Sequence, residues 1–361
     1  MARRQEQESA RKEVTEVAPN VLRMELPIHM PGLGHVNCYA LIDGEGATLV
    51  DPGLPGPLTW RAIQDRLKRA GLRVKNVHTI IVTHSHPDHF GGALRLQRAS
   101  GARVVAHRSF SFGPIRPVIL EPEVSVDDLS AQVEAQVETE AEEEETRPRT
   151  RDRGLTPWGG QRPGFTLRQR LVWRTLRFLQ RGSFLPTITH PVKHGDALRL
   201  AGRDFFMLHT PGHTEDHLCL HDPESGTLLA GDHVLPTITP HISGLTSTAD
   251  PLADFFDSLD RVGEVPNVKQ VLPAHGHPFT DLRGRAQAIK RHHHERLAKV
   301  KAISRELGPA SVQAFSHKLF RPRSWGPMAE SETYAHLEHL RLLGEAECVK
   351  GKGGQLVYVA G

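Results

Sequence analysis

A chain of 361 residues is too long for one minimal domain and suits one large domain with a small one attached. Its 38% hydrophobic residues and 32 glycines allow a sizeable core and exclude a wholly disordered protein, while a net charge of +3 is too small to argue for a nucleic-acid partner. No apolar run approaches the ~18 residues of a membrane helix. Twenty-three histidines against three cysteines point to metal held by imidazole and carboxylate rather than by thiolate.

Residues 1–18 read as a polar tail. Their opening, MARRQEQESARKEV, lacks the apolar stretch of a secretory signal. Cys38, Cys219 and Cys348 cannot build a disulfide framework, so a reducing, cytoplasmic setting is expected. Strand-like stretches follow at 20–28, 35–43 and 47–50, the last running into the turn Asp51-Pro52-Gly53. A helix fits 57–70, a strand 79–82, a helix 89–98 and a strand 103–107. This alternation predicts a layered α/β domain over 19–282. The pattern breaks at 123–160, where a glutamate run (AQVETEAEEEET) meets a basic block (RPRTRDRG); the composition predicts a disordered insertion. Helical period returns at 166–181, as a surface helix over a cleft or a basic amphipathic one. Strands fit 197–200, 204–209, 217–221, 227–230 and 269–273, with a helix at 250–263. From 283 to 361 the outline is a long helix, two shorter ones near 310–319 and 329–343, and a hairpin of AECVK and QLVYV, which is a winged-helix outline.

The chemistry sits where strands end. Thr83-His84-Ser85-His86-Pro87-Asp88-His89 follows the strand TIIV directly, and the carboxyl ends of strands are where α/β folds place reactive groups. His209-Thr-Pro-Gly-His213 follows DFFML, Gly231-Asp232-His233 follows TLLA, and Pro273-Ala-His275-Gly-His277 follows KQVL. Each motif alone is weak. Together they supply enough His and Asp ligands for two metals, each keeping an open position.

In these motifs the chain resembles the metallo-β-lactamase fold superfamily, over roughly residues 20–280. The resemblance implies an αββα sandwich with the metal site at one edge. It assigns His84, His86 and His213 to one metal and Asp88, His89 and His275 to another, with Asp232 bridging and Asp51 orienting a ligand from behind. The branch it resembles is the glyoxalase II-like group, whose relatives include acyl-thioester hydrolases and endoribonucleases. His86 stands where flavodiiron relatives have Glu, and no Cys occupies a ligand position. The three tyrosines, Tyr39, Tyr334 and Tyr358, fall beside no ligand motif.

Of the other histidines, His217 either stands behind a ligand or merely begins a strand. His233 reads as structural, and His277 as a loop cap. His241, in a proline-rich loop nine residues after Asp232, is the candidate for substrate contact. The run His292–His294 lies on a helix and points three ways, which argues against a metal cage made from it.

The function expected is a metal-dependent hydrolase in which a hydroxide shared by two divalent ions, zinc first and manganese or iron next, attacks an ester or thioester carbonyl of a small acyl substrate. Asp88 would orient that hydroxide. No general acid is evident, which favours a good leaving group. Two alternatives stand beside it: a phosphodiesterase or ribonuclease using the winged helix for nucleic acid, and a mononuclear iron persulfide dioxygenase. Glu330, Glu332 and Glu338 against Arg341 on the 329–343 helix weigh against phosphate and for packing or dimerisation, while Arg321, Arg323, Lys350 and Lys352 keep nucleic acid open.

Overall fold

Near-continuous burial along the central strands in the first third of the chain marks a sheet covered on both faces. The structure, a computed structural model, describes residues 4–30, 32–112, 156–159, 184–351 and 354–361. Strands β1 (Val14–Ala18), β2 (Val21–Met30), β3 (Leu33–Ile42), β4 (Ala47–Val50), β5 (Val77–Ile81), β6 (Arg103–His107) and β7 (His190–Val192) lie side by side in that order. The β1–β4 pairings are antiparallel and those from β4 to β7 parallel. On β3, Cys38 and Ala40 join the cluster holding Ile63 and Leu67 of α1 (Pro57–Arg69) and Leu96 of α3 (Ala93–Ser100). Tyr39 and Leu41, on the opposite face, join Phe205, Met207, Leu218 and Leu220 of a second sheet. That sheet runs β12 (Gln270–Pro273), β11 (Thr227–Gly231), β10 (Leu218–Asp222), β9 (Arg203–His209), β8 (Ala197–Leu200). With helix α4 (Pro251–Gly263) and the start of α5 (Leu282–Leu307) in the same part of the chain, the architecture is the layered α/β arrangement expected.

The chain divides into two compact units: Met1–Pro114 with Phe165–Pro240 and Asp254–Lys290, and Ile115–Gly164 with His241–Ala253 and Arg291–Gly361. In the second, the latter part of α5 is followed by β13 (Ala310–Ser311), α6 (Val312–Leu319), α7 (Pro327–Leu342), β14 (Ala346–Lys350) and β15 (Leu356–Ala360). Their sheet is ordered β13-β15-β14, all antiparallel. Among the described residues no helix is long and apolar enough to cross a membrane.

Three expectations change. The first eighteen residues are not a free tail: β1 pairs with β2, and Glu6 in a 3₁₀ turn (Gln5–Gln7) is fully buried, accepting from Thr237 N–H and hydroxyl and from Ile238 N–H. The helix expected over 89–98 is two pieces, α2 (Pro87–Phe90) and α3, because Gly91-Gly92 must pass against the turn after β4. A Cβ on Gly92 would stand 2.2 Å from Pro52 O, whose neighbour Gly53 accepts the Gly92 N–H. Within the segment 123–160, residues 156–159 pack: Trp158 is buried, its ring 5.0 Å from that of Tyr334, and its carbonyl accepts from Leu356 N–H. The remainder of that segment and the helix expected at 166–181 lie outside the described residues. The short strands β7 and β13 are additions to the expected elements, and α6 begins at Val312, where Ser311 caps it by accepting from Ala314 N–H.

Candidate metal centre

β5 delivers Thr83–His89 from its carboxyl end, and Pro87 at the first position of α2 turns Asp88 and His89 inward. The loop after β9 brings His213, the end of β11 brings Asp232 and the end of β12 brings His275. Donor atoms of His84, His86, His213 and Asp232 lie within 4.8 Å of one another, as do those of Asp88, His89 and His275. His86 Nδ1 is 3.0 Å from both His84 Nε2 and His213 Nε2. Asp232 faces both groups: Oδ2 is 3.6 Å from His213 Nε2 and 3.5 Å from His89 Nε2, and Oδ1 is 3.4 Å from His275 Nε2. Asp88 Oδ2 sits 3.6–3.7 Å from the Nε2 atoms of His275 and His89.

Tautomers follow from what lies behind each ring. A carboxylate only accepts, so His89 Nδ1–H donates to Asp51 Oδ2 at 2.9 Å and turns its Nε2 lone pair inward. Thr83 hydroxyl donates to the same oxygen at 2.8 Å, and therefore accepts from His84 Nδ1–H at 3.0 Å. Asp51 thus orients two rings at once, from a left-handed conformation (φ 55°) that the sharp Asp-Pro-Gly turn imposes. His275 Nδ1–H donates to His35 carbonyl at 2.7 Å. His217 stands behind Asp232: its Nε2 accepts the Asp232 N–H at 3.1 Å, and Nδ1 meets Thr210 hydroxyl at 2.7 Å.

The donor set fits a divalent cation. His89 Nε2, His275 Nε2 and Asp232 Oδ1 are buried and lack hydrogen-bond partners. Leaving such atoms unsatisfied costs about 1–3 kcal/mol each, and an ion among them would satisfy all three. The charges agree. Burial, then neighbouring His89 and His86, holds His84 well below the usual imidazole range. Burial works against His89 and His275, yet Asp232 and Asp88 raise both, so the site draws positive charge. Burial likewise works against Asp232, but His275 and His89 hold it well below the usual carboxylate range.

Several supports of the site carry no motif. Asn37 Nδ2 donates to Pro273 and Gly276 carbonyls, Tyr39 hydroxyl to Pro273 carbonyl, and Arg23 to Gly276 carbonyl, so β2 and β3 clamp the loop carrying His275. Tyr39 therefore does meet a ligand loop, through its backbone. Gln5 Oε1 accepts the His277 N–H. Asp216 Oδ1 accepts from Ser85 hydroxyl at 3.0 Å, between the two ligand candidates His84 and His86. His233 packs on Phe255, with ring centroids 5.1 Å apart. His241 lies in the second unit, where its Nδ1 is 3.2 Å from Glu332 Oε2.

A family model described as the Metallo-beta-lactamase superfamily matches residues 31–275, from β3 to the last ligand candidate. The chain belongs to the metallo-beta-lactamase superfamily. It is 24% identical over 326 residues to the probable metallo-hydrolase YqjP of Bacillus subtilis (strain 168), covering 85% of this chain and 88% of that one. A metallo-beta-lactamase family protein from Thermus thermophilus has a similar structure, with a TM-score of 0.71, 28% identity, and coverage of 96% of this chain and 100% of that one. A hydroxyacylglutathione hydrolase of Hydrogenovibrio crunogenus (strain DSM 25203 / XCL-2) is 45% identical over 51 residues, 14% of this chain and 18% of the relative. The chain is thus a metallo-hydrolase of this superfamily.

Proposed function

We propose that this metallo-hydrolase cleaves a thioester, or a comparably activated ester, of a small acyl group. The observation that carries the reading is the two-part donor set of seven side chains joined by Asp232, three of whose buried donor atoms lack a hydrogen-bond partner. These residues would hold two divalent ions, zinc first among the candidates, which would lower the pKa of a bound water from about 16 toward ~7 and polarise a carbonyl oxygen. Asp88 accepts the hydrogen of the attacking water and aims its lone pair at the carbonyl carbon. Asp51 keeps His89 and His84 in the tautomers that leave their Nε2 atoms unprotonated, and His217 fixes the backbone of Asp232. A thiolate leaves without an acid to protonate it, and the local likeness to hydroxyacylglutathione hydrolase, a thioester hydrolase by name, supports that choice.

The second unit we read as a winged helix, supported by its helix–strand–helix–helix–hairpin order and its β13-β15-β14 sheet. Its role is packing rather than nucleic-acid recognition. Ser331 to Leu340 of α7 are all buried, and Glu338 is taken up by Arg341 and Tyr358 hydroxyl, so the helix presents no face to a groove. The three cysteines are buried free thiols, which supports the reducing compartment expected. The test is a panel of acyl-glutathione, acyl-CoA, lactone and phosphodiester substrates assayed with and without chelator. Chelator-sensitive thioester hydrolysis is expected, and Asp88→Asn should slow it by orders of magnitude. Efficient turnover of the phosphodiester alone would overturn the reading.

A further inference from the structure

The histidine run 292–294 takes no part in the centre above, yet one of its members finds a partner that the period of a single helix does not reveal. In the second unit His293 of α5 meets His336 of α7, both rings fully buried, with Nδ1 of the first 3.1 Å from Nε2 of the second. Glu332, one turn before His336, completes a group whose donor atoms lie within 4.8 Å of one another. The 3.1 Å spacing compares with 3.0 Å between the candidate ligand nitrogens of His84, His86 and His213. A tetrahedral ion with nitrogen bonds of ~2.0–2.1 Å would set neighbouring nitrogens roughly 3.3 Å apart.

The hydrogen bonds around the group point the same way. His336 Nδ1 lies 2.7 Å from the Glu332 carbonyl, which only accepts, so Nδ1 carries the proton and Nε2 turns a lone pair toward His293. A ring N–H anchored on a backbone carbonyl is the usual orienting bond behind a ligand imidazole, and His275 uses the same device with His35. A metal binds neutral imidazole and ionised carboxylate. Arg296 engages Glu332 Oε1 and His241 engages Oε2, but a carboxylate has about four lone-pair positions, so two partners do not exhaust it.

We propose that His293, Glu332 and His336 form a second, separate metal site, for an ion of the zinc class, which ties α7 to the Arg291–Leu307 stretch of α5. The competing arrangement is a plain N–H···N bond from His293 to His336. The experiment saturates full-length protein with Zn2+, removes loose ions by desalting and counts the remainder by native mass spectrometry and elemental analysis. Three ions per chain are expected in the wild type. His293→Gln and His336→Ala should each hold one fewer while circular dichroism confirms the fold. A wild type that saturates at two ions or fewer overturns the proposal whatever the variants do, and so does a folded variant with the wild-type count.

Discussion

His89 Nδ1 and Asp51 Oδ2 are 2.9 Å apart, and both groups are buried, so a carboxylate 38 residues upstream decides which nitrogen of His89 can bind a metal. Asp51→Asn keeps the shape but can no longer accept on both oxygens. Thr83 N–H, Thr83 hydroxyl and His89 Nδ1–H then compete for one acceptor. The affinity for divalent metal should fall by about 10–100-fold. Chelator competition measures this directly, and an unchanged affinity would show that Asp51 does not set the ligand geometry.

Gly231 bends β11 just before Asp232, at φ 52°. An added Cβ would come within 2.6 Å of His217 Nε2, the atom that accepts the Asp232 N–H. Gly231→Ala should therefore destabilise the first unit by about 1–3 kcal/mol. It should also weaken metal binding, because displacing His217 releases the backbone of Asp232. Melting temperature and metal content should fall together; a loss of stability with full metal occupancy would separate the two roles.

The centre is legible in the sequence because its ligand candidates are local to strand ends. His84, His213, Asp232 and His275 each follow an apolar strand within a few residues, and one rule finds them all. Asn37 and Tyr39 are not legible. They sit inside an ordinary buried strand, and the carbonyls they hold lie more than 230 residues later. Glu6 looks like part of a charged tail because nothing in its own neighbourhood announces Thr237 and Ile238. His241 meets Glu332, a contact that its place nine residues after Asp232 does not announce. For the same reason the angles of one helix argue against the 292–294 run as a ligand source, when the partner of His293 comes from another helix.

Trp158 tests how far the segment 123–160 belongs to the second unit. Its indole N–H donates to Glu330 at 3.2 Å, its carbonyl accepts from Leu356 at the start of β15, and the next residue, Gly159, backs onto Gln355. Trp158→Ala should cost about 3–5 kcal/mol, the scale for emptying a buried aromatic site. Hydrogen exchange of the Leu356 amide should quicken strongly. Protection equal to wild type would mean that β15 stands without the tryptophan.

Asp216 gives the stability a pH dependence. Burial raises its carboxyl to about 6 from an ordinary 3.8, although Ser85 donates to it. Its second oxygen, Oδ2, is buried without a hydrogen-bond partner. The folded state thus holds the proton more tightly than the unfolded chain. Below about 4 both states are protonated and the residue costs nothing. As pH rises from about 4 to about 6 the unfolded chain ionises first, and stability drains away by about 3 kcal/mol at 1.36 kcal/mol per pKa unit, then levels off. Asn at this position imitates the protonated carboxyl at every pH. Metal-free Asp216→Asn should therefore match the wild type near pH 4 and exceed its unfolding free energy by a few kcal/mol at about pH 7.5. Urea unfolding at the two pH values measures the gap, and a gap that does not widen with pH would show that Asp216 ionises in the fold as easily as in water.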